Sequence, residues 1–369
     1  MKNDYSLLIK KRIGPVIFFV TAFLLYKLAF LFPETVENVY SRGIYPVFAT
    51  VFSALSSVFP FSLSEILLYC FAIYCLFYVI YIPCGLFKKG ARIYTLISRL
   101  TSFICVILIL AGEFMLGWAI NYARKPISEE LSVKTGEDTV SELKSTSLKL
   151  AKKANELRKS VNEDDSGAFK LKEGKKSVLC SVSSIYEKNA DEYLYTVRSK
   201  TAAKGVLLKN FLSTFETTGI FSPFTFEANL NMQMPESYFP ATVLHEYAHL
   251  QGFAREDECN FIAWYIAKDC DDTDFSYSGY ILALTYALNA LYSERPEYYK
   301  MLYSVLSDGV ICDLRQNSLY WKEFKSEMST QANKVYSGYL EYSGVPDGQK
   351  SYGRMLDLII AMDKAGYEI

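Results

Sequence analysis

Apolar positions crowd into the first third of the chain. The stretch 13–32 carries Lys27 as its only charged residue, and 66–87 and 95–119 are similarly apolar. About 20 apolar residues suffice to cross a bilayer core as a helix, so three spans are expected over these ranges. Lys27 lies near enough to one end to snorkel. The first stretch is longer than a signal-peptide core and runs into Phe32-Pro33-Glu34 rather than a small-residue cleavage site, which favours a retained span. Residues 43–61 are moderately apolar but interrupted by Pro46, Pro60 and several serines, and read as an interfacial or re-entrant piece.

Beyond Ser128 the pattern becomes that of a water-soluble protein. Leu143, Leu148, Leu150, Ala154 and Leu157 recur among charges, predicting an amphipathic helix over 141–162. The Gly-, Lys- and acid-rich 163–176 reads as a loop, and 184–199 as a helix. Residues 205–215 and 219–231 mix β-branched, aromatic, Gly and Pro residues, predicting short strands and turns. After Ala254 helical periodicity runs to Lys364. The expected fold is mainly α (α+β): a membrane anchor over 1–120, then a mostly helical domain with a small sheet over 121–369.

Charge orients the anchor. Lys10, Lys11 and Arg12 precede the first span, and Lys88, Lys89, Arg92 and Arg99 surround the turn between the second and third, whereas the intervening loop has only Arg42. The positive-inside rule puts those basic groups in the cytoplasm and everything after Asn121 outside. Arg124 and Lys125 run weakly against this, and counting 43–61 as a fourth span would leave the basic loop outside. Glu113, near the end of the third span, reads as a hydrated interfacial acid. A net charge of −1 points away from nucleic acid. Of eight cysteines, Cys70, Cys75, Cys84 and Cys105 fall in or beside the apolar segments. Cys180, Cys259, Cys270 and Cys312 have no CxxC spacing, which argues against a cysteine metal site and leaves one disulfide open.

The chemistry concentrates in one place. The chain has two histidines, His245 and His249, within His-Glu-Tyr-Ala-His. On a helix this spacing puts both imidazoles on one face, able to share a metal, with Glu246 in reach of a water beside it. Pro240 suits a first helical turn and Gly252 a left-handed cap. A catalytic zinc takes three protein ligands plus a water, so one ligand is missing. The following helix, from Arg255, offers Glu256 and Glu258. Glu258 continues into the apolar stripe Phe261, Ile262, Tyr265 and Ile266, whereas Glu256 lines up with Asn260, Ala263 and Ala267. On that periodicity Glu258 is the expected third ligand, Glu256 the alternative. Either acid could instead serve only the helix dipole.

The run 219–231, His-Glu-Tyr-Ala-His-Leu-Gln-Gly, Glu-Asp-Glu-Cys-Asn-Phe-Ile-Ala, Asp274-Phe-Ser-Tyr-Ser-Gly-Tyr280 and 348–357 together resemble the bacterial membrane proteins of domain-of-unknown-function family 3810. The resemblance covers nearly the whole chain, with the family's Glu-Ala-Asn standing here as Glu258-Cys259-Asn260. It implies a membrane-anchored, zincin-like peptidase with a glutamate third ligand, and no established substrate. The expectation is therefore a zinc metallopeptidase on the outer face of a bacterial cell membrane, acting on a peptide or protein, with the lipid bilayer as its other partner. Zn2+ held by His245, His249 and Glu258 would acidify a water, and Glu246 would take its proton. Tyr352 and Arg354 are the candidate oxyanion donors, against a packed tyrosine and a surface arginine. By analogy with zincins, Asn229 and Asn231 would lie on a strand lining the cleft. The tyrosines from Tyr277 to Tyr303 read as helix packing. The alternatives are a non-catalytic zinc-binding sensor or scaffold, and a structural membrane protein with a coincidental motif.

Overall fold

A computed structural model describes residues 2–87, 92–136, 138–198, 203–345 and 354–369. Lys88, Lys89 and Tyr352 lie outside the described residues.

The anchor begins with α1 (Lys2–Ala29). Pro33 has no N–H to continue it, and the chain restarts as α2 (Pro33–Thr35), a π-helical stretch over Val36–Ile44, and α3 (Tyr45–Ser57). Next come α4 (Leu63–Tyr81) and α5 (Arg92–Gly117). Two helical stretches are long and apolar enough to cross a membrane, Leu63–Phe87 and Arg92–Gly117. The expected first span differs: Ser6–Ala29 and Pro33–Ser57 form a pair bent by 108°, a third span only if the pair is counted as one. Helices α1 and α5 lie side by side and parallel, since Arg12 bonds Ser102 while Phe18 packs on Gly112, where a Cβ would approach its ring to 2.5 Å.

The remainder is mostly helical. Short α6 (Ile127–Glu130) precedes α7 (Val140–Arg158), whose start carries a Thr139–Glu142 capping box. A hairpin of β1 (Asn162–Glu163) and β2 (Phe169–Lys170) leads into α8 (Gly174–Asn189). The stretch expected to be a loop is thus partly ordered. The Asp164 carboxylate accepts from the Ser166 and Ala168 N–H groups, and Gly167 turns at φ +79. Helix α8 starts ten residues before Ser184 and ends at Asn189. Its apolar stripe is Val178, Leu179, Val182, Ile185 and Tyr186.

Strands β3 (Lys204–Gly205), β4 (Gly219–Ser222) and β5 (Glu227–Leu230) form one sheet in the order β3–β5–β4, with β3 parallel and β4 antiparallel to β5. The single-turn α9 (Phe211–Thr214) lies between β3 and β4. The rest is α10 (Phe239–Leu250), α11 (Glu256–Lys268), α12 (Thr273–Glu294), α13 (Pro296–Ser304), α14 (Asp308–Phe324), α15 (Glu327–Tyr342) and α16 (Met355–Lys364).

Every residue of α10 is buried. It packs against α8, α11, α12, β4 and β5. The core does not stop at Asn121: Tyr26, Tyr45, Ala49 and Trp118 of the anchor belong to the same buried cluster as Phe221, Tyr247 and Phe253. All eight cysteines are free, so the disulfide left open above is absent.

Candidate metal centre

Pro240 occupies the first turn of α10, and Gly252 just past its end adopts φ +87. Gly252 is constrained twice, because a Cβ there would also meet the Tyr45 ring at 3.0 Å. The turn returns the chain so that the first residue of α11 faces the histidines.

That residue is Glu256. Its Oε2 lies 3.0 Å from His245 Nε2 and 3.5 Å from His249 Nε2. One donor atom from each of the three residues lies within 4.8 Å of the others, a group that could hold a metal ion. His249 Nδ1 is 2.8 Å from the Phe253 carbonyl, which can only accept. A proton therefore sits on Nδ1, and Nε2 is the nitrogen that faces Glu256. Glu246 Oε2 is buried with no hydrogen-bond partner among the described residues. Two imidazole nitrogens, a carboxylate and an unsatisfied acid beside them fit a divalent cation.

The electrostatics agree. Burial pushes the Glu256 carboxyl up, but the two imidazoles overcome it and hold the group well below the usual range. Burial opposes charging His249, yet its neighbours Cys259 and Glu256 raise it well above the ordinary value. Burial pushes the Cys259 thiol up to about 12, so it is neutral and Glu256 is the charge that counts. Burial also raises the Glu246 carboxyl, against which the Phe221 N–H donates a hydrogen bond. Glu246 lies on Gly219 of β4, where a Cβ would come within 2.6 Å of its Cγ and Oε1.

Glu258 is elsewhere. Its Oε1 accepts from the Ile127 N–H at 2.8 Å and pairs with Arg255 at 2.7 Å. The carboxylate that joins the two histidines is that of Glu256, and the expectation for Glu258 is corrected. The periodicity argument assumed that the apolar stripe of α11 faces the site. In fact nearly all of α11 is buried, and its smaller, more polar face, Glu256 and Asn260, lines the cavity.

Arg354 is not beside the cluster either; its Nε lies 3.3 Å from Asp257 Oδ2, and it is absent from the cavity wall. Asn229 and Asn231 do not line the cleft. The Asn229 amide donates to the Ile220 and Glu227 carbonyls, and that of Asn231 to Ser213 Oγ and the Thr217 carbonyl. They sit on or just past central β5, and the cavity is walled by edge strand β4.

The cavity has a volume of about 840 Å³ and contains His245, Glu246, His249 and Glu256. Residues not singled out from the sequence complete it. The Tyr336 hydroxyl on α15 bonds Glu256 Oε1, and Tyr286 on α12 accepts from the Asn260 amide at 3.1 Å. Trp118, just past α5, lies 5.9 Å from the His249 ring. Tyr286 fell in the run read as packing; Tyr336 carried no local signal.

The anchor is tied to this centre. The Tyr45 hydroxyl donates to the carbonyls of His249 and Leu250 at 3.3 and 3.1 Å. Buried Arg124 pairs with Glu37 at 2.7 Å and donates to the Gly252 carbonyl at 3.0 Å. Arg124, which ran against the topology by charge counting, is thus an internal tie.

No curated protein and no solved structure matches the chain. The model of a family described as protein of unknown function, DUF3810, matches residues 40–360, and the chain belongs to that family.

Proposed function

We propose that the protein is a membrane-anchored zinc metallopeptidase, zincin-like in its His245-Glu246-x-x-His249 helix and taking its third ligand from Glu256. The observation that carries this is the convergence of those three donors, with Glu246 beside them, in the wall of one cavity. A His2Glu donor set suits zinc, which when bound supplies Lewis-acid activation of a water and of the substrate carbonyl. Glu246 takes the proton from the attacking water and returns it to the leaving amine. The Phe221 N–H and the bare Cα of Gly219 fix where its carboxyl sits. Tyr286, whose hydroxyl accepts from Asn260 and keeps its own proton to give, takes the role of steadying the developing oxyanion expected of Tyr352 and Arg354, while Tyr336 holds Glu256.

The parallel α1 and α5 put Lys10, Lys11 and Arg12 at the same end as Arg92 and Arg99. By the positive-inside rule that end is cytoplasmic, and the catalytic domain faces outward from a bacterial cell membrane that the chain crosses more than once. The substrate is a peptide or protein. The full-length protein in detergent should bind about one zinc per chain and cleave a peptide library. Glu246→Gln should keep the zinc and lose at least about 100-fold in cleavage. Equal cleavage by the variant would refute the assignment, and zinc without any cleavage would favour the sensor or scaffold alternative.

A further inference from the structure

The centre stands close to the bilayer. Helix α1 lies beside and parallel to α5, a helix long and apolar enough to cross the membrane, and Pro33–Ser57 leaves it at 108°, so that segment runs nearer the membrane plane than its normal. Its helix α3 has two faces. Tyr45, Pro46, Ala49, Ser53 and Ser56 are buried against the rest of the protein. Val47, Phe48, Val51 and Leu55, with Val58 just past its end, are exposed, the mark of a helix lying in the interface. Helix α10 rests on the buried face through Tyr45. The contact is made by that one side chain at the C-terminal turn of α10, so His249 stands one helix diameter, about 10 Å, from the axis of α3.

The cavity reaches down to the same level. Phe114 and Trp118, at the point where α5 leaves the membrane just after Glu113, form part of its wall. Ile220 and Phe224 on its rim are 53% and 46% exposed. Nearby, Leu207 and Leu208 are 64% and 51% exposed, and their backbone N–H groups are held by the Glu65 carboxylate in the first turn of α4. These apolar side chains are displayed where α4 enters the bilayer. Among the described residues no lysine or arginine lines the cavity, which disfavours a lipid phosphate. Asn260, Asn289, Asn317 and Asn333 line it instead, amides suited to a peptide backbone.

We propose that the cavity takes the extramembrane stub of another membrane-anchored polypeptide. At ~3.3 Å per extended residue, the cut falls within about three to six residues of the bilayer. This rests on the peptidase reading above.

The test reconstitutes the full-length zinc-loaded protein in phosphatidylcholine vesicles with single-span reporters. One carries a short randomised segment directly after its span; in the other a rigid helical spacer of about 20 residues lifts the same segment ~30 Å. The near segment should be cut at least about tenfold faster than the raised one. Equal rates would overturn the proposal while leaving the peptidase reading intact. A second readout does not need turnover: Glu246→Gln with a photo-reactive residue at Asn289 should capture the near reporter and not the raised one. Capture of the near reporter with no cleavage by the wild type would support the substrate class and sink the peptidase reading. Capture of neither, or of both equally, would overturn the substrate class.

Discussion

Glu256 and Glu258 lie two residues apart on one helix, yet their replacement by glutamine should fail in opposite ways. Glu256 Oε2 is within 3.0 and 3.5 Å of the two imidazole Nε2 atoms, so Glu256→Gln removes the charged donor of the three. Loss of a partner one shell out from a metal typically costs 10–100-fold in affinity. Loss of a direct ligand should exceed that, by at least about 100-fold or ~2.7 kcal/mol. Glu258→Gln touches no metal donor. It strips the counter-charge from Arg255, whose guanidinium lies 2.7 Å away in a nearly buried setting. The damage should be to stability, about 3 kcal/mol, because a buried charge is left unpaired. For a chain of this size that lowers the melting temperature by roughly 4 °C. Competition titration against a zinc chelator and thermal melting of the metal-free protein read the two effects separately. Should Glu258→Gln lose zinc while Glu256→Gln binds as the wild type does, the ligand assignment is wrong.

Gly219→Ala should cut kcat/KM by about 100-fold with the melting temperature nearly unchanged, since the Cβ meets the flexible Glu246 side chain 2.6 Å away and a misplaced general base is costly; unchanged turnover would remove Gly219 from the mechanism. Burial raises the Glu246 pKa, so in the metal-free protein its ionised form opposes folding, a penalty absent below the ordinary carboxylate value and growing as pH rises through the raised one. Glu246→Gln should therefore melt higher than wild type at neutral pH and equal to it near pH ~4, and equal melting at both would count against that burial. Asp313→Ala should cost about 3–5 kcal/mol by denaturant titration, because buried Asp313 accepts from Arg158, Tyr277 and the Phe169 N–H. A chain beginning at Asn121 loses Tyr45, Glu37 and Trp118 from around α10; it should aggregate or bind zinc at least tenfold more weakly than the full chain, and a soluble, tightly binding fragment would show that the anchor is dispensable.

The sequence made the centre legible where local rules suffice. His245, Glu246 and His249 follow from helical spacing, Pro240 and Gly252 bracket that helix by their own backbone limits, and the ligand-bearing second helix follows from the turn. The choice within that helix failed for a physical reason. An apolar stripe identifies the inward face only when the other face meets water, and α11 is buried almost all round. There the polar, small-residue face is the informative one, because a polar group enters a core only where another polar group meets it. Tyr336 and Trp118 were invisible for a different reason: they arrive from 80 residues downstream and 131 residues upstream of the atoms they approach, and no periodicity carries that distance.

The boundary near Asn121 is a change of composition, and packing ignores it. Glu37 from the anchor meets Arg124 from beyond it, Tyr45 holds the last carbonyls of α10, and the Glu65 carboxylate holds Leu207 and Leu208 beside the sheet. In return Glu227 of β5 caps the first turn of α4 at Leu63 and Ser64. Each tie pairs a group that needs a partner with one from the opposite side of the compositional break, and most are buried, where an unmatched polar atom costs about 1–3 kcal/mol. Such ties hold the histidines in place relative to α4 and α5, the helices long and apolar enough to cross a membrane. A domain on a passive tether would need none of them, so their presence at the carbonyls of His249 and Gly252 supports the proposal that distance from the bilayer is itself part of the site.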